Sequence, residues 1–385
     1  MPLRPHQIDA LDAMANHSKG QIIVPTGGGK TMCMIEDAKK VNGTIVVVAP
    51  RILLAEQLSS EFLEQIDNVS VMHVHSGETS HYSSTKWIDI YNWDKRTTGK
   101  KIIFTTYHSL QRVAMSVIDV DTIYFDEAHN SVQRNFYPYV EWFSTNRSNR
   151  CFFFTATPKH STTIKKAGMN NSKVYGQVII NVPAPKLVDE GYILPPKVEV
   201  YKSRLLRKDE IYSEVESEHM IGAIDRLEVD KVLICAKSTK QITGLLSESD
   251  FCYELKMRGY SWMTITSKTG AIVNGHKVGR DEFFETLNAW GKDDNKKFVV
   301  LHHSILSEGI NVKGLEAALF MRNMDYITIS QTIGRVIRLG NEYKTHGKVC
   351  VPVYNNVGIS TARKVEAVVD TVFNRGEPAI SVITR

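Results

Sequence analysis

The sequence predicts an α/β protein of two domains, each built on an open, mainly parallel sheet. Apolar, β-rich runs alternate with amphipathic stretches along the whole chain. Most of those runs are continuously apolar, as strands of a parallel sheet covered on both faces are. The length, 385 residues, exceeds the size at which a single core keeps growing.

The strands expected in the first half are 22–24, 44–48, 101–105, 122–125 and 151–155, and in the second half 197–200, 231–235, 298–301, 317–321 and 348–353. Helical patterns fall at 51–65, 212–227, 241–246, 280–290 and 362–373. A proline-punctuated stretch carrying Pro183, Pro185, Pro195 and Pro196 separates the two series. The expected division is therefore residues 1–182, a linker at 183–200, and residues 201–385. Polar segment 76–101 reads as a surface excursion of the first domain.

Composition narrows the class. Hydrophobic residues at 42% and charged residues at 23% describe an ordinary globular protein. No apolar run approaches the roughly 18 residues that span a bilayer, and the N-terminus lacks the apolar core of a signal peptide. The five cysteines include no C-x-x-C pair, which argues for reduced thiols in a cytoplasmic protein and against a disulfide frame or a zinc site. A net charge of +5 is compatible with nucleic acid without arguing for it.

Residues 25–31, Pro-Thr-Gly-Gly-Gly-Lys-Thr, follow an apolar strand and lead into a helical pattern. Gly27, Gly28 and Gly29 let the backbone turn its N–H groups toward an anion, and the helix start adds partial positive charge. Lys30 is placed to reach the β and γ phosphates, and the Thr31 hydroxyl to ligate Mg²⁺. The strict pattern G-x-x-x-x-G-K-S/T wants glycine at 24, where this chain has Val24. A second apolar strand ends in Asp126-Glu127-Ala128-His129. Asp126 is expected to hold Mg²⁺ and Glu127 to act as general base on the attacking water. Loop and carboxylate pair together make a nucleotide hydrolase.

With these motifs in order, the chain resembles a superfamily 2 DEAH-motif helicase or translocase core. Further segments extend the resemblance over nearly the whole length. Residues 3–7, with Arg4 and Gln7, resemble the motif whose Gln reads adenine. Segments around Pro50-Arg51 and Thr106-Tyr107 resemble two that grip the sugar-phosphate backbone. Thr155-Ala156-Thr157 resembles the motif that couples hydrolysis to strand movement, to which His129 would link the nucleotide site. Residues 306–311 resemble motif V, with Gly309 and Asn311 at the nucleotide. Gln331-Thr332-Ile333-Gly334-Arg335-Val336-Ile337-Arg338 resembles motif VI.

The resemblance implies two tandem RecA-like domains, ATP with Mg²⁺ in the interdomain cleft, and catalytic roles for Lys30, Glu127, Gln331, Arg335 and Arg338. On one helix, Arg335 and Arg338 would project from a single face. Motif V departs from the family's Asp and Pro at Asn311 and Lys313, and His303 stands where a threonine is usual, giving His303 and Ser304 as candidate nucleic-acid contacts. The His302-His303 pair invites a metal reading, but neighbours on a strand point to opposite faces. The form of motif VI, with Thr332 in place of the arginine frequent in RNA-directed members, is more similar to RecG-like, XPB-like, UvsW-like and restriction-type translocases. The expected partner is therefore DNA. RNA, an ATP-dependent clamp that does not unwind, and a small-molecule P-loop kinase are the alternatives. Lys95, Arg96, Lys100 and Lys101 with Trp87, Tyr91 and Trp93 suggest a backbone-and-stacking platform. The implied assembly is a monomer whose substrate choice comes from 76–101 or from an accessory protein.

Overall fold

The computed structural model describes residues 2–163, 165–202, 211–266, 268–303, 314–340, 343–353 and 356–384. Its strands are β1 (Lys19–Ile23), β2 (Thr44–Ala49), β3 (Ser70–Val74), β4 (Lys101–Thr106), β5 (Val120–Phe125), β6 (Ser148–Thr155), β7 (Lys159–Ser161), β8 (Val178–Asn181), β9 (Pro196–Lys202), β10 (Lys231–Cys235), β11 (Ser261–Thr266), β12 (Gly270–Val273), β13 (His276–Val278), β14 (Phe298–His302), β15 (Ala317–Phe320), β16 (Gly347–Val353) and β17 (Ser381–Ile383). The chain divides into two compact units, residues 1–183 with 378–385, and residues 184–377.

The first unit holds a seven-stranded sheet in the order β3-β4-β2-β5-β6-β1-β8. Every pairing in it is parallel. Its inner strands carry the apolar runs that both covered faces require: Ile45 to Ala49, Ile102 to Phe104 and Ile123 to Phe125 are buried. Helix Lys30–Lys39 is tied down by Asp37, a buried carboxylate that accepts from Tyr124 Oη at 2.6 Å and from both terminal nitrogens of Arg150 at 2.9 and 2.8 Å. The helix behind the glycine loop is thereby joined to β5 and β6.

The second unit holds an eight-stranded sheet, β13-β12-β11-β14-β10-β15-β16-β9. It is parallel from β11 to β9, with an antiparallel hairpin at one edge. That hairpin turns at Asn274-Gly275, both in positive φ at 46° and 88°, as a type I′ turn demands.

Residues 183–200, expected as the linker, form helix Ala184–Asp189 and enter β9, an edge strand whose leading prolines have no N–H to pair. Residues 381–383 pair with β7 in the first unit, so that unit is not continuous in sequence. Segment 76–101 is largely exposed. It contains helix Trp87–Arg96, which buries Ile90 and Asp94.

Candidate functional site

In a parallel sheet every strand's C-terminal end lies along one edge, where ligands of open α/β folds bind. The glycine loop follows β1, Thr155 ends β6, Asp126-Glu127 follow β5, Pro50-Arg51 follow β2, and Thr106 ends β4. Because the order is β4-β2-β5-β6-β1, the edge is sorted. The nucleotide motifs occupy three adjacent strands, and the backbone-gripping segments occupy the next two. The carboxylate pair stands at the border.

The glycine loop is held from outside by the first turn of helix Pro5–Ala15. Arg4 Nη1 donates to Gly27 O at 3.2 Å, His6 Nε2 meets Gly28 O at 2.7 Å, and Gln7 Nε2 donates to Gly29 O at 3.1 Å. Three side chains thus take three successive glycine carbonyls and fix the course of the loop backbone. Gly28 N closes the turn onto Pro25 O at 3.0 Å. Gly29, at φ +83°, is the N-cap of helix Lys30–Lys39, and a Cβ there would sit 2.3 Å from Gln7 Nε2. Gln7, expected at adenine, spends its other amide atom as well, Oε1 accepting from Arg4 N at 2.9 Å. His6 is the contributor to this clasp that the sequence reading passed over. Lys30 Nζ reaches Val24 O at 3.4 Å and faces Glu127 Oε1 at 3.9 Å.

Glu127 sits in the left-handed region at φ 45°, ψ 54°, a conformation rare for a residue with a Cβ and typical of functional strain. Burial, and then the neighbouring Glu127 carboxylate, push the Asp126 carboxyl up to about 7. Two enclosed carboxylates and one lysine form a site short of positive charge. The hydroxyl oxygen of Thr26 in the glycine loop is also buried without a partner. These features fit a Mg²⁺–triphosphate, with Thr31 and Asp126 as the residues that would hold the cation and hard oxygen ligands as it prefers.

His129 joins this site to the segment after β6. Its Nδ1 lies 3.5 Å from Glu127 Oε2, 3.1 Å from Thr155 Oγ1 and 3.4 Å from Thr157 Oγ1. Thr157 N donates to Thr155 Oγ1 at 3.0 Å across Ala156. Carboxylate, imidazole and two hydroxyls therefore form one connected cluster.

The expected nucleic-acid contacts divide. Arg51 is exposed at the start of helix Ile52–Leu63, whereas Pro50 beside it is buried. Tyr107 is 1% exposed, with its hydroxyl donating to Asp126 O at 2.8 Å, so its side chain props the carboxylate loop and cannot grip a strand. Thr106 is buried too, its hydroxyl accepting from Ser109 N at 3.3 Å. On and just after that segment, His108, Gln111 and Arg112 are exposed. The suggested platform also thins out. Lys100 caps Ala38 O and Lys39 O, and Lys101 pairs with Asp94. Lys95, Arg96, Trp87 and Tyr91 remain exposed.

In the second unit, Gln331 and Arg335 are buried on helix Tyr326–Val336. Arg338 lies beyond its end, so the two arginines do not share a helical face. Lys344 Nζ takes the Arg338 carbonyl at 2.7 Å, past the helix end. His302 is buried, its Nε2 3.3 Å from Cys235 Sγ, and burial and then Arg335 push it down to about 3. Half-buried His303 turns its Nδ1 to Ala236 O at 3.2 Å and lies near Arg322. The pair is split between different surroundings, as strand geometry requires. Ser304, Gly309 and Asn311 lie outside the described residues.

Fold and site define two α/β units of RecA type, the first bearing a P-loop with a paired-carboxylate strand end. Residues 1–160 match the family model described as "Type III restriction enzyme, res subunit". Over the whole chain the structure is similar to a solved "ATP-dependent Type ISP restriction-modification enzyme LlaBIII bound to DNA", with TM-score 0.76 and 17% identity, covering 100% of this chain and 31% of that one. It is also similar to a nuclease-deletion mutant of the Type ISP restriction-modification enzyme LlaGI in complex with a DNA substrate mimic, with TM-score 0.68 and 19% identity, covering 99% of this chain and 30% of that one. The chain thus spans under a third of the length of these solved relatives. The likeness to these structures is one of fold, and it extends over both units. No curated protein sequence matches the chain. Among the described residues, no helix is long and apolar enough to cross a membrane.

Proposed function

We propose that this chain is a DNA-directed ATPase motor that hydrolyses Mg²⁺–ATP to translocate along or remodel DNA. The observation that carries the reading is the continuous cluster from Lys30 through Glu127 and His129 to Thr155 and Thr157. Lys30 neutralises phosphate charge, and Thr31 and Asp126 hold Mg²⁺, which would withdraw charge from the transferred phosphoryl group. Glu127 accepts the proton of the attacking water, and its strained backbone keeps the carboxylate aimed. His129 reports the state of that carboxylate to the 155–157 turn.

DNA is favoured over RNA by the proteins that the fold matches, described with DNA bound, and by the type of motif VI. The reading is tested by ATP turnover with no nucleic acid, single-stranded DNA, duplex DNA, forked DNA and RNA. Selective stimulation by DNA supports it, and selective stimulation by RNA transfers the motor to RNA. A rate indifferent to all of them would return the chain to the metabolic P-loop enzymes. Stimulation without strand displacement or directional movement would make it a clamp.

A further inference from the structure

Away from the nucleotide site, the first unit holds a second convergence of chemistry. Among the described residues, Glu56, His73 and His75 bring one ligand atom each into a single cluster. Glu56 lies on helix Ile52–Leu63, His73 on β3, and His75 just past its end. The sequence signal is His-x-His on a strand, which places both rings on one face. Glu56 Oε1 is 2.9 Å from His73 Nδ1 and 2.9 Å from His75 Nε2, and the two nitrogens are 3.0 Å apart. Both histidines are buried, and Glu56 Oε1 is buried with no donor reaching it at hydrogen-bonding angles.

Protons alone leave this triangle unsatisfied. Gly77 N donates to His75 Nδ1 at 3.2 Å, so the neutral His75 ring carries its proton on Nε2. If His73 also carries its proton on Nδ1, two N–H groups face each other across 3.0 Å. If it does not, its lone pair faces a carboxylate oxygen at 2.9 Å. With both rings neutral and Glu56 ionised, one edge is repulsive in either His73 tautomer. A single cation above the triangle satisfies all three atoms. At the usual zinc distances of roughly 2.0–2.1 Å, it would lie about 1.2 Å out of their plane.

We propose that Glu56, His73 and His75 form a binding site for a divalent transition-metal ion of the zinc class, with water in a fourth position. The surrounding bonds suit that occupant. Ser59 Oγ lies 2.9 Å from His73 Nε2, the atom that carries the proton when Nδ1 binds metal, and Thr79 Oγ1 donates to Glu56 Oε2 at 3.2 Å. His81 stacks on His73 with ring centroids 5.0 Å apart. The imidazole-and-carboxylate set selects against Mg²⁺, which keeps to oxygen ligands. Binding asks one change of the protein: the His75 proton moves to Nδ1, and Gly77 N turns to water. One half-buried N–H left to solvent costs far less than a metal–imidazole bond supplies. The ion would pin the helix that follows Pro50-Arg51 to β3 and to the loop after it.

The test is Co²⁺ titration of the chelator-treated full chain, read by visible absorption, with Zn²⁺ competition and thermal melts. The expected result is one equivalent of cobalt in a low-symmetry nitrogen–oxygen environment, displaced by zinc. Apparent affinity should fall at least tenfold in Glu56→Gln and in His75→Ala. Zinc should raise the melting temperature of the unmodified chain and not that of Glu56→Gln. Cobalt bands dominated by thiolate charge transfer, equal binding by the variants, or a melting temperature indifferent to zinc would each overturn the site. The melt of the unmodified chain decides the matter even if a variant fails to fold.

Discussion

Asp37→Asn probes how the glycine loop is fixed to its sheet. Asp37 is buried, and in one residue it meets Tyr124 of β5 and both arms of Arg150 of β6. Arg150 also donates to Met14 O at 3.1 Å and lies over the Phe152 ring at 4.8 Å. The asparagine keeps the shape and one acceptor but removes the charge, leaving a guanidinium without its counter-ion. Breaking a buried pair this way costs about 3–5 kcal/mol. The Arg150 side chain is 26% exposed and keeps some water, which places the loss at the lower end, about 3 kcal/mol. At about 2–4 °C per kcal/mol for a unit of this size, the melting temperature should drop by roughly 6–12 °C. Circular dichroism melts of the single variants and of Asp37→Asn with Arg150→Gln measure both the loss and the coupling. The double variant should cost clearly less than the sum of the singles. A drop under about 2 °C, or strict additivity, would show that the pair does not anchor the helix.

Three further outcomes follow from the same geometry. Gly29→Ala forces a Cβ into positive φ and against the Gln7 amide; the left-handed conformation alone costs about 1–2 kcal/mol, so affinity for a fluorescent ATP analogue should fall at least fivefold. Arg51→Ala should weaken DNA binding and flatten its salt dependence by about one phosphate contact, whereas Tyr107→Phe should leave DNA affinity unchanged because that ring is enclosed; a large effect of Tyr107→Phe in a binding titration would refute the buried assignment. His129→Ala should keep basal ATP turnover within a few-fold while abolishing its stimulation by DNA, and an unchanged stimulation ratio would remove His129 from the coupling path.

Most inner strands of the two sheets were legible because their apolarity was unbroken. The expected strands at 44–48, 231–235 and 348–353 fall on β2, β10 and β16. β3 was not legible, since Ser70 and His73 interrupt its apolar pattern, and His73 is buried for its ring partners. The hairpin β12–β13 carried its signal in Asn274-Gly275 but had too few apolar residues around the turn to be noticed. At the site, residue types and order marked the glycine loop and the carboxylate pair. What they could not mark was direction. Tyr107 lies in a backbone-gripping segment yet points inward, because Asp126 O needs a donor. Arg338 falls outside the helix, which ends at Val336. The Glu56–His73–His75 cluster joins a helix to a strand, and spacing along the chain does not show such a meeting.

In the proposed motor, Glu127 performs the chemistry at a nucleotide that Lys30 holds. Single-turnover hydrolysis of radiolabelled ATP by Glu127→Gln and Lys30→Ala, each with nucleotide binding measured on the same sample, tests it most directly. Glu127→Gln should bind Mg²⁺–ATP like the unmodified chain and hydrolyse it about 10²–10⁴-fold more slowly, while Lys30→Ala should fail to bind. Hydrolysis by Glu127→Gln within threefold of the unmodified rate would contradict it.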